Sequence, residues 1–133
     1  MKIVKEYPPN IDKIREKFKL HEGVIFTYGD TIYNPDGGFI DRALEIHEET
    51  HTKQQGNNIE EWWDKYLTDD EFRLSQEVEA YRNKYKKMKS NIKDVNKLNF
   101  RLDLIAKDLA SEMYGSIVSY EEAKSLIELS TVK

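Results

Sequence analysis

Three times after residue 57, a residue suited to cap a helix N-terminus is followed three positions later by glutamate: Asn58 with Glu61, Thr68 with Glu71, and Ser119 with Glu122. In such a box the first side chain bonds the N–H three residues on, and the glutamate reaches back to the N–H of the capping residue. Helix is therefore the expected conformation for most of the chain beyond this point. The capping positions also limit how long each helix can be.

The hydrophobic spacing agrees. Leu74, Val78, Tyr81, Tyr85 and Met88 recur at helical intervals, and predict a long helix from about Asp69 to Lys89, broken by Ser90-Asn91. Leu98, Leu102, Ile105, Leu109 and Met113 predict another from Leu98 to Met113, and the third box opens a last helix through Leu129. Trp62, Trp63, Tyr66 and Phe72 are read as core and helix-packing residues. Upstream, Ile40, Ala43, Leu44, His47, His51 and Gln54 share a helix face that ends at Gly56-Asn57. A first short helix is expected over Ile11 to Leu20, preceded by an extended arm, Lys2 to Tyr7. Val24 to Tyr28 and Thr31 to Tyr33 flank Gly29-Asp30 and predict a small hairpin. The expected fold is α+β, predominantly helical, a single domain over residues 1–133 with a hairpin just before the helix that carries His47.

Composition narrows the function classes. With 35% charged residues and a net charge of -4, the signs are interleaved, which argues against a nucleic-acid surface. The one basic run, Arg82 to Lys89, suits a solvated helix end. No apolar stretch approaches the roughly 20 residues needed to cross a membrane. The N-terminus lacks an apolar signal core, so a cytoplasmic location is expected. With no cysteine, any bound metal has to be held by histidine and carboxylate.

Two of the three histidines stand in His47-Glu48-Glu49-Thr50-His51. Residues four apart share a helix face, so both imidazoles can reach one ion. Glu48 is rotated about 100° from His47 and can serve as general base to a water without being a ligand. A third ligand is required. Gln54 and Asn57 occupy the positions where a third downstream histidine would stand, and His21 lies upstream. A carboxylate is expected instead, and Glu77 and Glu79 offer themselves. On the long helix Glu77 lies about 60° from Leu74, on the shoulder of the buried face, and Glu79 about 140° away, in solvent. Glu77 is therefore the expected ligand, and a salt bridge to Arg73 is its plain structural alternative.

The combination of "HEETH" with "EVEAY" resembles the gluzincin metallopeptidases, in which a helix carrying HExxH is followed by one carrying E-x-x-A/S. The wider pattern "HTKQQG", "WWDKYL" and "FRLSQEVEAYRNKY" is similar to small metallopeptidase-like proteins encoded by phages and prophages. The resemblance spans roughly Tyr28 to Tyr85. It implies a zincin-like domain with Zn2+ held by His47, His51 and Glu77, Glu48 as catalytic base, and a peptide or protein substrate. It also implies release by lysis or association with a virion. Where many gluzincins place an aspartate that supports a zinc histidine, this chain has Tyr81, so that support has to come from elsewhere. The family also implies a substrate-binding strand edge, at Thr31 to Tyr33 or Val24 to Tyr28. It implies an oxyanion-stabilising tyrosine or histidine too, with Tyr28, Tyr33, Tyr81 and His21 as candidates. Two rivals remain at this level: a zinc-binding structural or virion-associated protein without proteolytic activity, and a metal-free helical interaction module.

Overall fold

The helical period that begins near Phe39 continues to the end of the residues described. A computed structural model describes residues 1–129. Strand β1 (Lys2–Val4) and helix α1 (Ile11–Lys17) lead into β2 (Phe26–Tyr28) and β3 (Thr31–Tyr33). Five helical segments follow: α2 (Arg42–Gln55), α3 (Ile59–Thr68), α4 (Asp70–Asn91), α5 (Val95–Leu109) and α6 (Tyr120–Leu129), with a 3-10 turn at Glu112–Tyr114 before the last. The chain is mostly helical with a small three-stranded sheet ahead of the helices. Among the described residues, no helix is long and apolar enough to cross a membrane.

Only one of the three capping boxes forms in full. At Ser119 both bonds are present, Glu122 N–H to Ser119 Oγ at 3.1 Å and Ser119 N–H to Glu122 Oε1 at 3.3 Å. Asn58 caps α3 in position but makes no side-chain cap bond. Its own N–H already donates to the Gln55 carbonyl at 2.8 Å, which removes the donor that Glu61 would reach for. Thr68 remains in α3, with its hydroxyl on the Asp64 carbonyl, and Asp69 caps α4 through the Phe72 N–H at 3.0 Å. A carboxylate at an N-terminus gains from the helix dipole as well as from the hydrogen bond. The same chemistry moves the start of α5 upstream of Leu98: Asp94 accepts from the N–H groups of Asn96 and Lys97. At the other end α5 stops at Leu109, and Met113 falls in the 3-10 turn closed by left-handed Gly115.

The sheet corrects a second expectation. β1 pairs in parallel with β3, and β2 pairs with β3 antiparallel, so Thr31–Tyr33 is the central strand and not an edge. The arm read as merely extended therefore closes one side of the hairpin. At the other edge the Thr27 carbonyl already accepts from Gln55 Nε2 (2.8 Å) and Trp63 Nε1 (3.1 Å). That carbonyl has no acceptor capacity left for an added peptide strand. The hairpin turn needs glycine at position 29, where φ is +64° and a Cβ would meet Ile59 Cδ1 at 3.0 Å.

Two apolar clusters hold these elements. One joins α4, α5 and α6 through Val78, Tyr85, Met88, Leu102, Leu109 and Ile127. The other joins α1, β2 and α3 through Ile14, Phe18, Phe26, Trp63 and Leu67. An aromatic ring from each cluster touches one histidine of α2: Tyr81 packs edge-on to His47 with centroids 4.5 Å apart, and Trp62 lies 5.4 Å from His51. The polar groups of α2 and α4 thus meet between two apolar masses.

Candidate metal centre

Helix α2 begins at the Asp41 cap and lies along α4, so the turns bearing His47 and His51 face the turn bearing Glu77. All three side chains are buried, with 3%, 5% and 3% of their surface exposed, and Glu48 is buried beside them. Glu77 Oε1 lies 3.1 Å from His47 Nε2 and 3.2 Å from His51 Nε2. One donor atom from each residue falls within 4.8 Å of the others. Two ligands on a tetrahedral ion with bonds of about 2.1 Å are about 3.4 Å apart, so the nitrogen-to-oxygen separations suit a shared cation. This buried His/His/Glu cluster can hold a metal ion.

The burial of the two glutamates of α4 comes out as the helix angles predict: Glu77 is buried and Glu79 is exposed. The salt-bridge alternative for Glu77 does not form. Arg73 is itself buried and donates to the carbonyls of Tyr66 and Tyr114, at 2.6 and 2.9 Å, and to Asp70.

What supports the three donors was only partly visible from the sequence. His51 Nδ1–H donates to Gln54 Oε1 at 2.8 Å. The Gln54 amide is oriented by its other end, because Nε2 donates to the Gln76 carbonyl (3.0 Å) and to Glu79 Oε1 (2.7 Å). The Gln54 oxygen therefore faces the ring, the proton sits on Nδ1, and Nε2 of a neutral His51 keeps its lone pair toward Glu77. Gln54, three residues after His51 on one helix, supplies the support that Tyr81 does not. Glu79, passed over as a ligand, holds that support in place. Gln55 ties α2 to the hairpin, accepting from Gly29 N–H at 2.7 Å and donating to Thr27. His47 Nδ1 has no hydrogen-bond partner among the described residues.

Glu48 was expected beside the buried face; β2 lies across it and buries it. Thr27 Oγ1 donates to Glu48 Oε1 at 2.8 Å, while Oε2 lies 3.8 Å from His47 Nε2. Tyr66, read as a core aromatic, is buried as expected, but its hydroxyl donates to Glu77 Oε2 at 2.6 Å. Burial first, and then the Glu77 charge, raise this hydroxyl well above its ordinary value, which keeps it a donor. Among the four oxyanion candidates, Tyr81 spends its hydroxyl on Tyr114 at 2.8 Å, and His21 is exposed with Nδ1 on the Glu22 carbonyl. Tyr28 and Tyr33 are half-buried in the sheet. The tyrosines that line the cavity at the cluster are Tyr66 and Tyr114. That cavity measures about 60 Å³ and is walled by Phe18, Leu20, Val24 and Phe26. It has room for a few water-sized groups.

Charge within the cluster is strongly coupled. Burial alone would hold the His51 imidazole neutral, but the Glu77 charge and hydrogen bond override it and raise it from 6.5 to about 9. Burial likewise opposes the Glu77 charge, yet His51 and His47 hold its carboxyl well below the usual carboxylate range. The two shifts set a stability window. The Glu77 contribution is present above its ordinary value of 4.5 and lost as pH falls below it. The His51 contribution is complete below 6.5 and lost as pH rises through about 9. In the presence of chelator, the melting temperature is expected to be highest between these limits and to decline toward pH 9. With zinc added the decline should vanish, because a metal takes neutral imidazole. A flat profile in chelator would contradict the ion pair.

Comparison of the chain with protein-family models, with curated proteins and with solved structures gives no match.

Proposed function

We propose that this chain is a zinc-dependent hydrolase of the gluzincin kind, with a zincin-like fold, acting on peptide bonds. One observation carries the reading: His47, His51 and Glu77 converge in a buried cluster while Glu48, anchored on its far oxygen by Thr27, turns its second oxygen toward the same atoms. The donor set of two imidazoles and one carboxylate is a common one for catalytic zinc. Bound there, zinc would polarise a substrate carbonyl and make water a stronger acid. His47, His51 and Glu77 would hold it.

Glu48 carries the proton chemistry. Its Oε2 takes a proton from water as the water oxygen bonds to the carbonyl carbon. It then returns that proton to the amine nitrogen as the carbon–nitrogen bond breaks, giving a carboxylic acid and an amine. Thr27 fixes the carboxylate for both transfers by occupying Oε1. The expected result is slow cleavage of an unfolded protein or peptide mixture, abolished by chelator and restored by zinc. A zinc-loaded protein that cleaves nothing in a broad peptide mixture would contradict it.

A second reading has one observation in its favour. The cavity is narrow and apolar-walled, and the ligand atoms are nearly out of solvent, as in a structural metal site that staples α2 to α4. Under that reading, zinc binding raises the melting temperature and Glu48→Gln changes nothing that can be measured.

A further inference from the structure

The two oxygens of Glu77 have different neighbours. Oε1 sits against both imidazole nitrogens, at 3.1 and 3.2 Å, whereas Oε2, also 3.2 Å from His51 Nε2, accepts the Tyr66 hydroxyl at 2.6 Å. Both partners of that last bond are buried, so water does not compete freely for either. Tyr66 is also fixed in four other ways. Its ring stacks on Trp62 (4.9 Å, 25° between planes) and meets Trp63 edge-on at 5.2 Å. Its backbone carbonyl accepts from Arg73 Nη1 at 2.6 Å, and the Arg73 guanidinium lies 5.9 Å from the ring centre. A hydroxyl held so firmly cannot follow the carboxylate if the carboxylate turns.

We propose that Tyr66 is a positioning residue that restricts Glu77 to one oxygen toward the metal. The inference rests on the metal-centre reading and adds to it. A carboxylate free at both oxygens can bind an ion through two atoms and fill a coordination position that a substrate or water would otherwise use. With Oε2 engaged by Tyr66, that position would stay free for a substrate or water. The paired tryptophans thereby gain a role beyond packing: they aim the phenol that aims the ligand. Partners of this kind around a metal site are worth about 10- to 100-fold in metal affinity.

Tyr66→Phe deletes one oxygen and leaves the stacking intact. Zinc affinity of the variant is expected to fall about 10- to 100-fold against wild type. In protein labelled with 13C-glutamate and loaded with zinc, the Glu77 carboxylate stretches should move closer together, the signature of two-oxygen binding, and the melting temperature in chelator should fall by the loss of one buried hydrogen bond. An affinity within twofold of wild type, or carboxylate stretches that do not move, would overturn the assignment. Should the variant fail to fold, the zinc-loaded wild type decides alone: one-oxygen stretches support the assignment and two-oxygen stretches overturn it. If wild type takes up no zinc, this inference falls together with the metal-centre reading. If both proteins bind zinc identically, only the role of Tyr66 falls.

Discussion

The Glu77→Gln protein is expected to bind zinc about two to three powers of ten more weakly than wild type. Apparent binding energies for structural zinc run to about 10–16 kcal/mol, so each of three or four ligands answers for about 3–4 kcal/mol. At about 1.4 kcal/mol per tenfold, losing one anionic ligand gives the stated loss. Glutamine keeps the volume of the side chain and can still accept from Tyr66, so the effect isolates the charge facing His47 and His51. The same variant should also weaken the alkaline decline in melting temperature expected in chelator, because the Glu77 charge that chiefly raises His51 is gone and only the lesser effects of Glu48 and Gln54 remain. Glu79→Gln is the control. Glu79 is exposed and touches the cluster only through Gln54, so its replacement should change zinc affinity several-fold at most. Isothermal titration or chelator competition on the three proteins measures both effects. Equal losses for the two variants would remove the distinction between them.

Glu48→Gln is expected to lower hydrolysis about 10²- to 10⁴-fold while leaving zinc content and melting temperature close to wild type. The amide oxygen can still accept from Thr27, so the side chain should stay where it is. What it loses is the ability to take and return a proton. Steady-state cleavage of a peptide found to be a substrate, with metal content measured on the same preparation, reads both halves. Full activity in Glu48→Gln would rule out this residue as the base. Absence of cleavage in wild type, with zinc bound and the fold stabilised by it, would favour the structural staple.

Period and angle carried the sequence reading furthest where one helix could be considered alone. The four-residue spacing of His47 and His51 and the 60° offset of Glu77 depend only on helix geometry, and both residues of the pair and the glutamate are buried as that geometry requires. Helix starts were less legible, because neighbouring residues compete to cap: Asp69 displaces Thr68, and Asp94 starts α5 before the apolar stripe does. The supporting contacts divide the same way. Gln54 lies three positions from His51 on α2 and was within reach of sequence reasoning. Thr27 and Tyr66 were not. Thr27 reaches Glu48 only because β2 crosses α2, and Tyr66 meets Glu77 only because α3 and α4 fold back at Asp69. The burial of Glu48 and the capped edge of β2 are likewise properties of how elements meet, which no local pattern encodes. The chemical identity of the metal and the substrate lies further off still, since the same donors serve several cations.

The most direct test is the metal content of the purified protein after exposure to zinc and removal of excess, measured by elemental mass spectrometry beside the His47→Ala and Glu77→Gln variants. About one zinc per wild-type chain, with loss in both variants, is the expected result. Wild type free of metal after zinc loading, or zinc retained when His47 and Glu77 are replaced, would contradict the assignment of His47, His51 and Glu77 as a metal centre.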